Sequence, residues 1–520
     1  MTAAVTAPAL RERPPAPPRI RPGQWVALVA LVLPTVLVAA DGTILSFALP
    51  TISTSLAPTA SQLLWIVDIY PLVLAGLLVA MGSLGDRVGR RRLLMVGATG
   101  FGVLSVVAAY APSAGALVGA RAGLGFFGAM LMPSTLALLR TVFPDGGQRR
   151  LAVAIWATGF SAGAAVGPVV GGVLLEHFWW GSVFLSSVPV IALLVVVGRR
   201  VLPESKEASP GPLDVPSVLL SLLTMVPLVY AVKAAVGSAP WTTALAAAVL
   251  GTVSLVLFVR RQLTLADPLL DLGLFRLPVF SASVAANLMS IFAFAGLLFF
   301  TAQYLQLVVG LSPLVAAAHL VPAMVATIVT GLLAVQLAKR WSLRVLVPTG
   351  LATSALGYAV ATQLGGGPEA ALLVAASVLV GAGVGLAETL TNDAILTAAP
   401  AGRTGAASAV SETAYELGAV LGTAVLGSVL GAVYRSHLLV PATASAEAVD
   451  ASTQTLGGAV EAAGALGGAD GDALLASARD AFAAGVDVTA AIGGVVVLAA
   501  AVLVARALRE RRPADAVREG

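Results

Sequence analysis

Four carboxylic acids lie inside long apolar stretches of this 520-residue chain. Asp41 stands in the run Ala-Asp-Gly-Thr-Ile-Leu, and Asp68 stands in Trp-Ile-Val-Asp-Ile-Tyr-Pro. Glu412 and Glu416 are four residues apart in Ser-Glu-Thr-Ala-Tyr-Glu-Leu-Gly, so they share one face of a helix. A carboxylate is costly in an apolar medium, and a neighbouring like charge adds to that cost. Acids in such a place can hold protons and release them when a cation arrives, which is the chemistry that we expect here.

The elements that position these acids are membrane-spanning helices. Hydrophobic residues make up 58% of the chain and charged residues only 11%, against about a quarter in soluble proteins. Apolar stretches of about 20 residues, long enough to cross a bilayer as a helix, recur along the sequence. Periodicity and turn signals predict fourteen helices, numbered 1 to 14: 25–47, 62–84, 93–111, 114–139, 151–175, 182–201, 215–236, 241–261, 280–309, 313–338, 343–364, 369–396, 405–433 and 486–508.

Basic residues divide unevenly between the two sides of the membrane. Loops after even-numbered helices and the two chain ends hold all but four of the 30 Lys and Arg residues; the exceptions are Arg121, Lys233, Arg435 and Arg479. Basic loops of membrane proteins remain in the cytoplasm. The pattern predicts a multi-pass protein of the cytoplasmic membrane with both termini in the cytoplasm.

The helix count also predicts a domain organisation. An inserted pair of helices separates two halves of six helices each, and 434–485, rich in Ala and Gly, is expected to be a long extracellular loop. In that loop 472–482 has the pattern of a short amphipathic helix, while a partly ordered spacer is the alternative. The predicted units are a disordered cytoplasmic tail at 1–24, the first half at 25–201, a cytoplasmic linker at 202–214, the inserted helices 7 and 8 at 215–261, the second half at 262–508 and a cytoplasmic tail at 509–520.

Depth in the membrane follows from the helical rise of about 1.5 Å per residue. Asp41 and Asp68 should both lie about 6–10 Å inside the outer boundary, because helices 1 and 2 are antiparallel, and should face one cavity. Glu412 and Glu416 should lie about 10–17 Å deep, close to the midplane. We expect all four carboxylates to be uncompensated, which argues for a functional role. Glu388 and Asp393, late in helix 12, are either a gate or an ordinary helix-end pair.

Arg121 lies about seven residues into helix 4. An arginine inside a membrane helix usually faces a cavity or an acidic partner, and the alternative is that its side chain reaches the outer interface.

A short charged loop follows helix 2 and reads Gly-Ser-Leu-Gly-Asp-Arg-Val-Gly-Arg-Arg-Arg at 82–92. A topogenic loop explains its arginines but not the spacing of its glycines and aspartate. The run resembles the signature loop of the major facilitator superfamily. The resemblance implies that Asp86 caps a neighbouring helix, pairs with arginine and latches one of two transport states. The latch would comprise Gly82, Asp86, Arg87, Gly89 and Arg90.

Helix 5 carries glycines at every fourth position, which form a stripe where another helix can pack closely. The run resembles the antiporter motif that marks exporters of the superfamily; simple small-residue packing is the alternative. Arg121 matches the arginine that the superfamily carries in helix 4 and that is implicated there in proton relay, although Leu124 stands where glutamine is frequent. The motif residues are Gly163, Gly167, Pro168, Gly171 and Gly172.

Taken together, these motifs resemble the fourteen-helix drug:proton antiporter-2 family, in particular its antiseptic (quaternary-ammonium) resistance branch. The resemblance implies an all-α major facilitator fold of two six-helix halves plus two inserted helices. It also implies that Asp41 and Glu412 are protonation and cation-recognition sites, with Asp68 and Glu416 assisting. Some relatives carry a further acid in helix 10, but 281–368 contains none, which argues against divalent cations as substrates.

The sequence therefore predicts a proton-coupled multidrug efflux transporter for lipophilic, often cationic compounds. The alternative is a dedicated exporter of a single endogenous metabolite or antibiotic. The chain has no P-loop for ATP hydrolysis, and three histidines without a cysteine supply neither a metal site nor a catalytic centre. We expect no enzyme activity and no cofactor, with the proton gradient as energy source. The expected partners are the lipid bilayer, the substrates and protons, but not nucleic acid, and the expected state is a monomer.

Overall fold

The computed structural model describes residues 21–206, 214–236, 240–265, 268–364, 369–399 and 404–509. Within these ranges all regular secondary structure is helical, and fourteen helices are long and apolar enough to cross a membrane, which confirms the predicted fold. Arg403, nearly all of the two predicted tails and most of the linker lie outside the described residues. Helices 1 to 14 are Pro22–Leu56, Ala60–Val88, Arg90–Ala109, Ala114–Val142, Gly146–His177, Ser182–Val201, Val215–Val236, Trp241–Thr264, Pro278–Val308, Pro313–Leu337, Leu343–Ala361, Glu369–Ala398, Thr404–His437 and Gly468–Arg509.

The two six-helix halves repeat one pattern of helix packing. In the first half, helix 1 packs on helix 5, helix 4 packs on helices 2 and 3, and helix 6 packs on helices 1 and 3. In the second half, helix 9 packs on helix 13, helix 12 packs on helices 10 and 11, and helix 14 packs on helices 9 and 11. The halves meet along two seams, one between helices 2 and 13 and the other between helices 5 and 10. A cavity between the halves therefore lies within reach of residues from both.

The inserted helices 7 and 8 form a hairpin against one of these seams. Helix 7 contacts both helix 2 and helix 13, whereas helix 8 packs mainly on helix 7. Large apolar side chains of helix 8, such as Leu245 and Val253, are exposed. Helix 8 is suited to contact with lipid, because its exposed side chains are apolar and its backbone hydrogen bonds are satisfied within the helix. The hairpin is thus joined to the rest of the helix bundle through helix 7.

The segment 434–485 is helical over most of its length, which differs from the expected loop. Helix 13 continues to His437, two short helices occupy Ala446–Gln454 and Leu456–Leu466, and helix 14 begins at Gly468. The predicted amphipathic helix at 472–482 is present as part of helix 14. Alanine favours helix, and the hydroxyls of Ser445 and Thr455 accept hydrogen bonds at the starts of the two short helices. Hydropathy detects only the apolar part of helix 14. The sequence pattern therefore predicts its start at 486, whereas the helix begins at Gly468.

Candidate functional site

Four cavities follow one another between the two halves. We call them the latch cavity (about 380 Å³), the acidic cavity (about 440 Å³), the central cavity (about 90 Å³) and the outer pocket (about 310 Å³). The latch cavity lies beside the charged loop after helix 2, and the outer pocket lies beneath the short helix that begins at Leu456. Neighbouring cavities share lining residues: Trp156 and Glu412 between the first two, Phe160 and Tyr415 between the next two, and Phe299 between the last two.

The central cavity brings together charged residues from three helices. Asp68 of helix 2, Arg121 of helix 4 and Glu416 of helix 13 all line it. Glu416 is 8% exposed, and the charges nearest to it are those of Glu412, Asp41 and Arg121. Both halves of the chain therefore contribute charge to one small space.

Arg121 is buried and bound to three partners in the first half. Its Nη1 donates to the carboxylate of Asp41 at 2.5 Å, and its Nε donates to the carbonyl of Ile66 at 3.1 Å. The guanidinium also lies 4.6 Å from the centre of the Tyr70 ring. With 1% of its side chain exposed, Arg121 has an acidic partner and does not reach the outer interface.

Asp68 also has a basic partner. The ammonium of Lys233, on the inserted helix 7, lies 2.8 Å from one carboxylate oxygen of Asp68, and both side chains are buried. The expectation of four uncompensated carboxylates thus fails for Asp41 and Asp68. The reason is that both basic partners lie far away in sequence and reach the acids only through helix packing.

Glu412 and Glu416 line different cavities although they share one helix face. Glu412 lines the acidic and latch cavities, whereas Glu416 lines the central cavity. Tyr415 packs edge-on against Phe160 of helix 5 at a centroid distance of 5.5 Å, and this aromatic pair separates the acidic and central cavities. Glu388 of helix 12 also lines the acidic cavity, and its charge interacts with that of Glu412. The acidic cavity therefore holds a pair of carboxylates from two helices.

The glycine stripe of helix 5 packs against helix 1 beside Asp41. A Cβ added at Gly163 would overlap the backbone of Val36, and one at Gly167 would overlap the Thr43 hydroxyl. A Cβ at Gly171 would lie 3.2 Å from Ile44 Cγ2. These glycines allow the close approach of the two helices. The two remaining motif residues are Gly172, which faces helix 10, and Pro168, which lies buried inside helix 5; Gly159, one turn before the motif, also faces helix 1.

The charged loop after helix 2 is held by the chain that follows helix 6. Asp86 accepts from Arg90 Nε at 2.9 Å, and the backbone N–H of Arg90 donates to the Ser205 carbonyl at 2.8 Å. Glu204 accepts from the backbone N–H of Arg91 at 3.1 Å. Gly89 has a φ of 109°, and a Cβ there would lie 2.7 Å from a Glu204 carboxylate oxygen. Glycine is therefore favoured at position 89 for two reasons: the positive φ suits a residue without a Cβ, and the Glu204 carboxylate leaves no room for one.

The predicted latch residues surround this loop and its cavity. Gly82, Asp86 and Arg90 line the latch cavity together with Glu412 of the second half, and Arg87 lies half-buried in the last turn of helix 2. The helix cap that the resemblance implied for Asp86 is not among its contacts within the described residues; in this conformation its partner is Arg90.

Comparison with known proteins identifies the family. The sequence pattern of the Major Facilitator Superfamily matches residues 31–423. The chain belongs to the major facilitator superfamily. It is 52% identical to the multidrug efflux pump LfrA of Mycolicibacterium smegmatis, over 93% of this chain and 96% of that protein. It is 36% identical to the methyl viologen resistance protein SmvA of Salmonella typhimurium, over 88% and 93% of the two chains.

Other comparisons agree with this assignment. The tetracenomycin C resistance and export protein of Streptomyces glaucescens is 32% identical, over 93% of this chain and 91% of that protein. A bacterial homolog of the human lysosomal transporter Spinster, solved in an inward-facing and unoccupied conformation, superimposes with a TM-score of 0.65 at 18% identity, over 95% and 99% of the chains. This structural similarity, at 18% identity, shows only that the two proteins share a fold. This superfamily member is a multi-pass membrane transporter rather than an enzyme.

Sequence reasoning missed several residues of this major facilitator site. Lys233 was visible only as an exception to the distribution of basic residues, and Glu204 only as an acid next to Pro203 after helix 6. Glu388 was left between two interpretations, and the structure places it in the acidic cavity. Among the described residues, no group of three or more His, Asp and Glu is arranged to hold a metal ion.

Proposed function

We propose that this protein is a proton-coupled multidrug efflux transporter. It exports lipophilic, often cationic compounds, including antiseptics, dyes and antibiotics, across the cytoplasmic membrane in exchange for protons, and acts as a monomer. The observation that carries the proposal is the row of acids along the path between the halves: Glu412 in the acidic cavity, then Glu416 and Asp68 in the central cavity. The 52% identity to a multidrug efflux pump supports drug export.

The basic loops indicate how the row of cavities is oriented in the membrane. Loops after even-numbered helices hold most of the Lys and Arg, so we place them and both termini in the cytoplasm. The latch cavity adjoins the loop after helix 2 and lies on that side, whereas the outer pocket lies on the other. A substrate would enter through the latch and acidic cavities, pass the Phe160–Tyr415 pair and leave through the outer pocket.

Proton exchange follows from the cost of charge in an apolar site. A bare carboxylate at the midplane costs several kcal/mol, so Glu412 and its neighbour Glu388 should hold a proton when the site is empty. A lipophilic cation that enters the acidic cavity supplies the missing positive charge, and the proton leaves to the cytoplasm. After the cation has left on the outer side, a proton from that side returns to the carboxylate. The aromatic faces of Phe160 and Tyr415 favour a cation on its way between the cavities.

A dedicated exporter of one metabolite or antibiotic is the second candidate. It is favoured by relatives at 32–33% identity that are named for resistance to tetracenomycin C and to puromycin. The higher identity to a multidrug pump favours broad specificity. So does the lining of the central cavity, where apolar and aromatic side chains outnumber the charged ones.

Inverted membrane vesicles test the proposal. Vesicles containing the protein are energised by respiration and given tetrabutylammonium (a monocation), methyl viologen (a dication) or a neutral antibiotic, with vesicles lacking the protein as control. Each transported compound should release stored protons, and a protonophore should stop its transport. Transport that requires ATP and ignores the proton gradient would contradict proton coupling. Response to a single compound of a wide panel would favour the dedicated exporter.

A further inference from the structure

The inserted helix 7 places a cation next to the acid of the central cavity. Lys233 lies in its last turn, and Lys233 Nζ is 2.8 Å from Asp68 Oδ2. The ammonium also lies 4.0 Å from the centre of the Trp65 ring. Only 3% of the Lys233 side chain and 1% of the Asp68 side chain are exposed. The pair is therefore shielded from solvent and from lipid headgroups.

Apolar packing and one hydrogen bond hold helix 7 in this position. Val229 of helix 7 packs with Leu72 of helix 2 and Val420 of helix 13 in one buried cluster. Ser221 Oγ donates to the Gly76 carbonyl of helix 2 at 3.0 Å. Lys233 is thus anchored at the seam where the two halves meet, and movement of one half against the other acts directly on its ion pair with Asp68.

The ion pair lies in the wall between two cavities. Asp68 lines the central cavity, Lys233 lines the outer pocket, and Phe299 of helix 9 lines both. The outer pocket also contains the side-chain oxygens of Gln303, Gln454 and Tyr434, which can accept from an ammonium group, while Arg435 in the same pocket disfavours a second cation there. A substrate that leaves the central cavity for the outer pocket must pass this wall.

The carboxylate of Asp68 is incompletely satisfied. Lys233 Nζ lies 2.8 Å from Oδ2, but among the described residues neither oxygen of Asp68 has a well-aligned hydrogen bond, and Oδ1 also has no ion-pair partner. A buried carboxylate oxygen without a partner is costly. A positively charged ligand that contacts this carboxylate would supply the missing partner.

We propose that Lys233 is a tethered counter-cation, which neutralises Asp68 while the central cavity is empty and is displaced by a cationic substrate. The inference rests on the proposed export of cations and assigns a role to the inserted hairpin. A lipophilic cation reaching Asp68 replaces the ammonium, so the site stays neutral, and Lys233 moves towards the outer pocket. Its release frees helix 7 from Asp68 and opens the wall on the exit side.

Competition of this kind predicts a change in affinity. If Lys233 occupies Asp68 in nine of ten empty molecules, removing it should tighten cation binding by about tenfold. We would measure tetrabutylammonium binding to the full-length protein in lipid nanodiscs by calorimetry. Lys233→Met should bind about tenfold more tightly, by the same relation. Lys233→Arg should bind as the parent does, and the double variant Asp68→Asn/Lys233→Met should bind more weakly than Lys233→Met.

A second measurement leaves the ion pair intact and so does not depend on folding of the variants. Tetrabutylammonium has no aromatic ring, and displacing the ammonium from Trp65 should change the fluorescence of that residue. The change is obtained as the difference between the parent and Trp65→Phe. A folded Lys233→Met with parental or weaker affinity, or unaltered Trp65 fluorescence at saturating cation, would overturn the inference while leaving export intact. A parent that neither binds nor exports the cation would overturn the proposed function as well.

Discussion

Asp41 on helix 1 and Arg121 on helix 4 form an ion pair that connects helices 1, 2 and 4 of the first half. The guanidinium is 2.5 Å from the Asp41 carboxylate and also donates to the Ile66 carbonyl of helix 2. Three helices therefore meet at one charged group. Because the same arginine lines the central cavity, we expect a change in this pair to alter both the stability of the protein and the proposed cation export.

Removing one partner of this pair should cost more than removing both. Asp41→Asn leaves the Arg121 guanidinium buried without its carboxylate, which typically costs about 3–5 kcal/mol. The double variant Asp41→Asn/Arg121→Gln should lose less, since it leaves no unpaired charge. The melting temperatures of the parent, the single variant and the double variant, measured in the same detergent, give the order of their stabilities. Cation export should also suffer more than export of neutral compounds in Asp41→Asn; equal melting of the single variant and the parent would contradict the pairing.

Neutralising the acidic cavity should uncouple transport from protons. Glu412→Gln mimics the protonated state permanently, and its amide is cheaper to bury than a carboxylate. We expect folded protein without substrate-induced proton release in inverted vesicles. Asp393→Asn is a matched control, because Asp393 is exposed near the end of helix 12, five residues after Glu388. Cation pumping by Glu412→Gln at the parental rate would move the coupling site to Asp41 or Asp68.

The contact between the charged loop and the chain after helix 6 should govern the conformational step. Asp86→Asn and Glu204→Gln each remove a partner of the arginines in this loop, so both should slow the transport of all substrates alike. Lys206→Gln changes an exposed side chain of the same segment and should leave transport unchanged. Initial efflux rates for a cation and a neutral drug distinguish the cases. Loss confined to one drug would show that the loop acts in recognition instead.

A side chain at the loop glycine should be tolerated poorly. Gly89→Ala combines an unfavourable φ of 109° with a Cβ placed 2.7 Å from the Glu204 carboxylate. Backbone strain of this kind costs about 1–3 kcal/mol. We expect a lower melting temperature and slower transport, and the second substitution Glu204→Ala should recover part of the stability. No recovery would show that strain in the backbone, rather than the contact, dominates.

The glycine stripe should be sensitive to a single methyl group. In Gly163→Ala the added Cβ overlaps the Val36 backbone and pushes helix 1 away from helix 5, an overpacking that typically costs about 1–3 kcal/mol. Gly119→Ala on helix 4 is the control, because nothing lies within 4 Å of its Cβ position. Melting temperature and efflux should fall in the first variant and stay unchanged in the second. Similar behaviour of both variants would argue against close packing as the role of the stripe.

Local properties of the sequence determined the architecture. The number of spans follows from apolar length alone, because a helix must satisfy its backbone within the bilayer. The glycine stripe of helix 5 follows from its four-residue period, and the grouping of Gly82, Asp86 and Arg90 follows from their nearness in the chain. All of these can be predicted because they depend on residues within a few turns of one another.

Only the tertiary structure decided which charges compensate one another. Sequence periodicity shows that Glu412 and Glu416 share a helix face, but the rotation of helix 13 and the Tyr415–Phe160 contact place them in separate cavities. Asp68 and Lys233 lie on helices far apart in the chain and are joined by the packing of helix 7 against helices 2 and 13. A carboxylate in a membrane has the same sequence signature with or without a partner, since the partner comes from another helix.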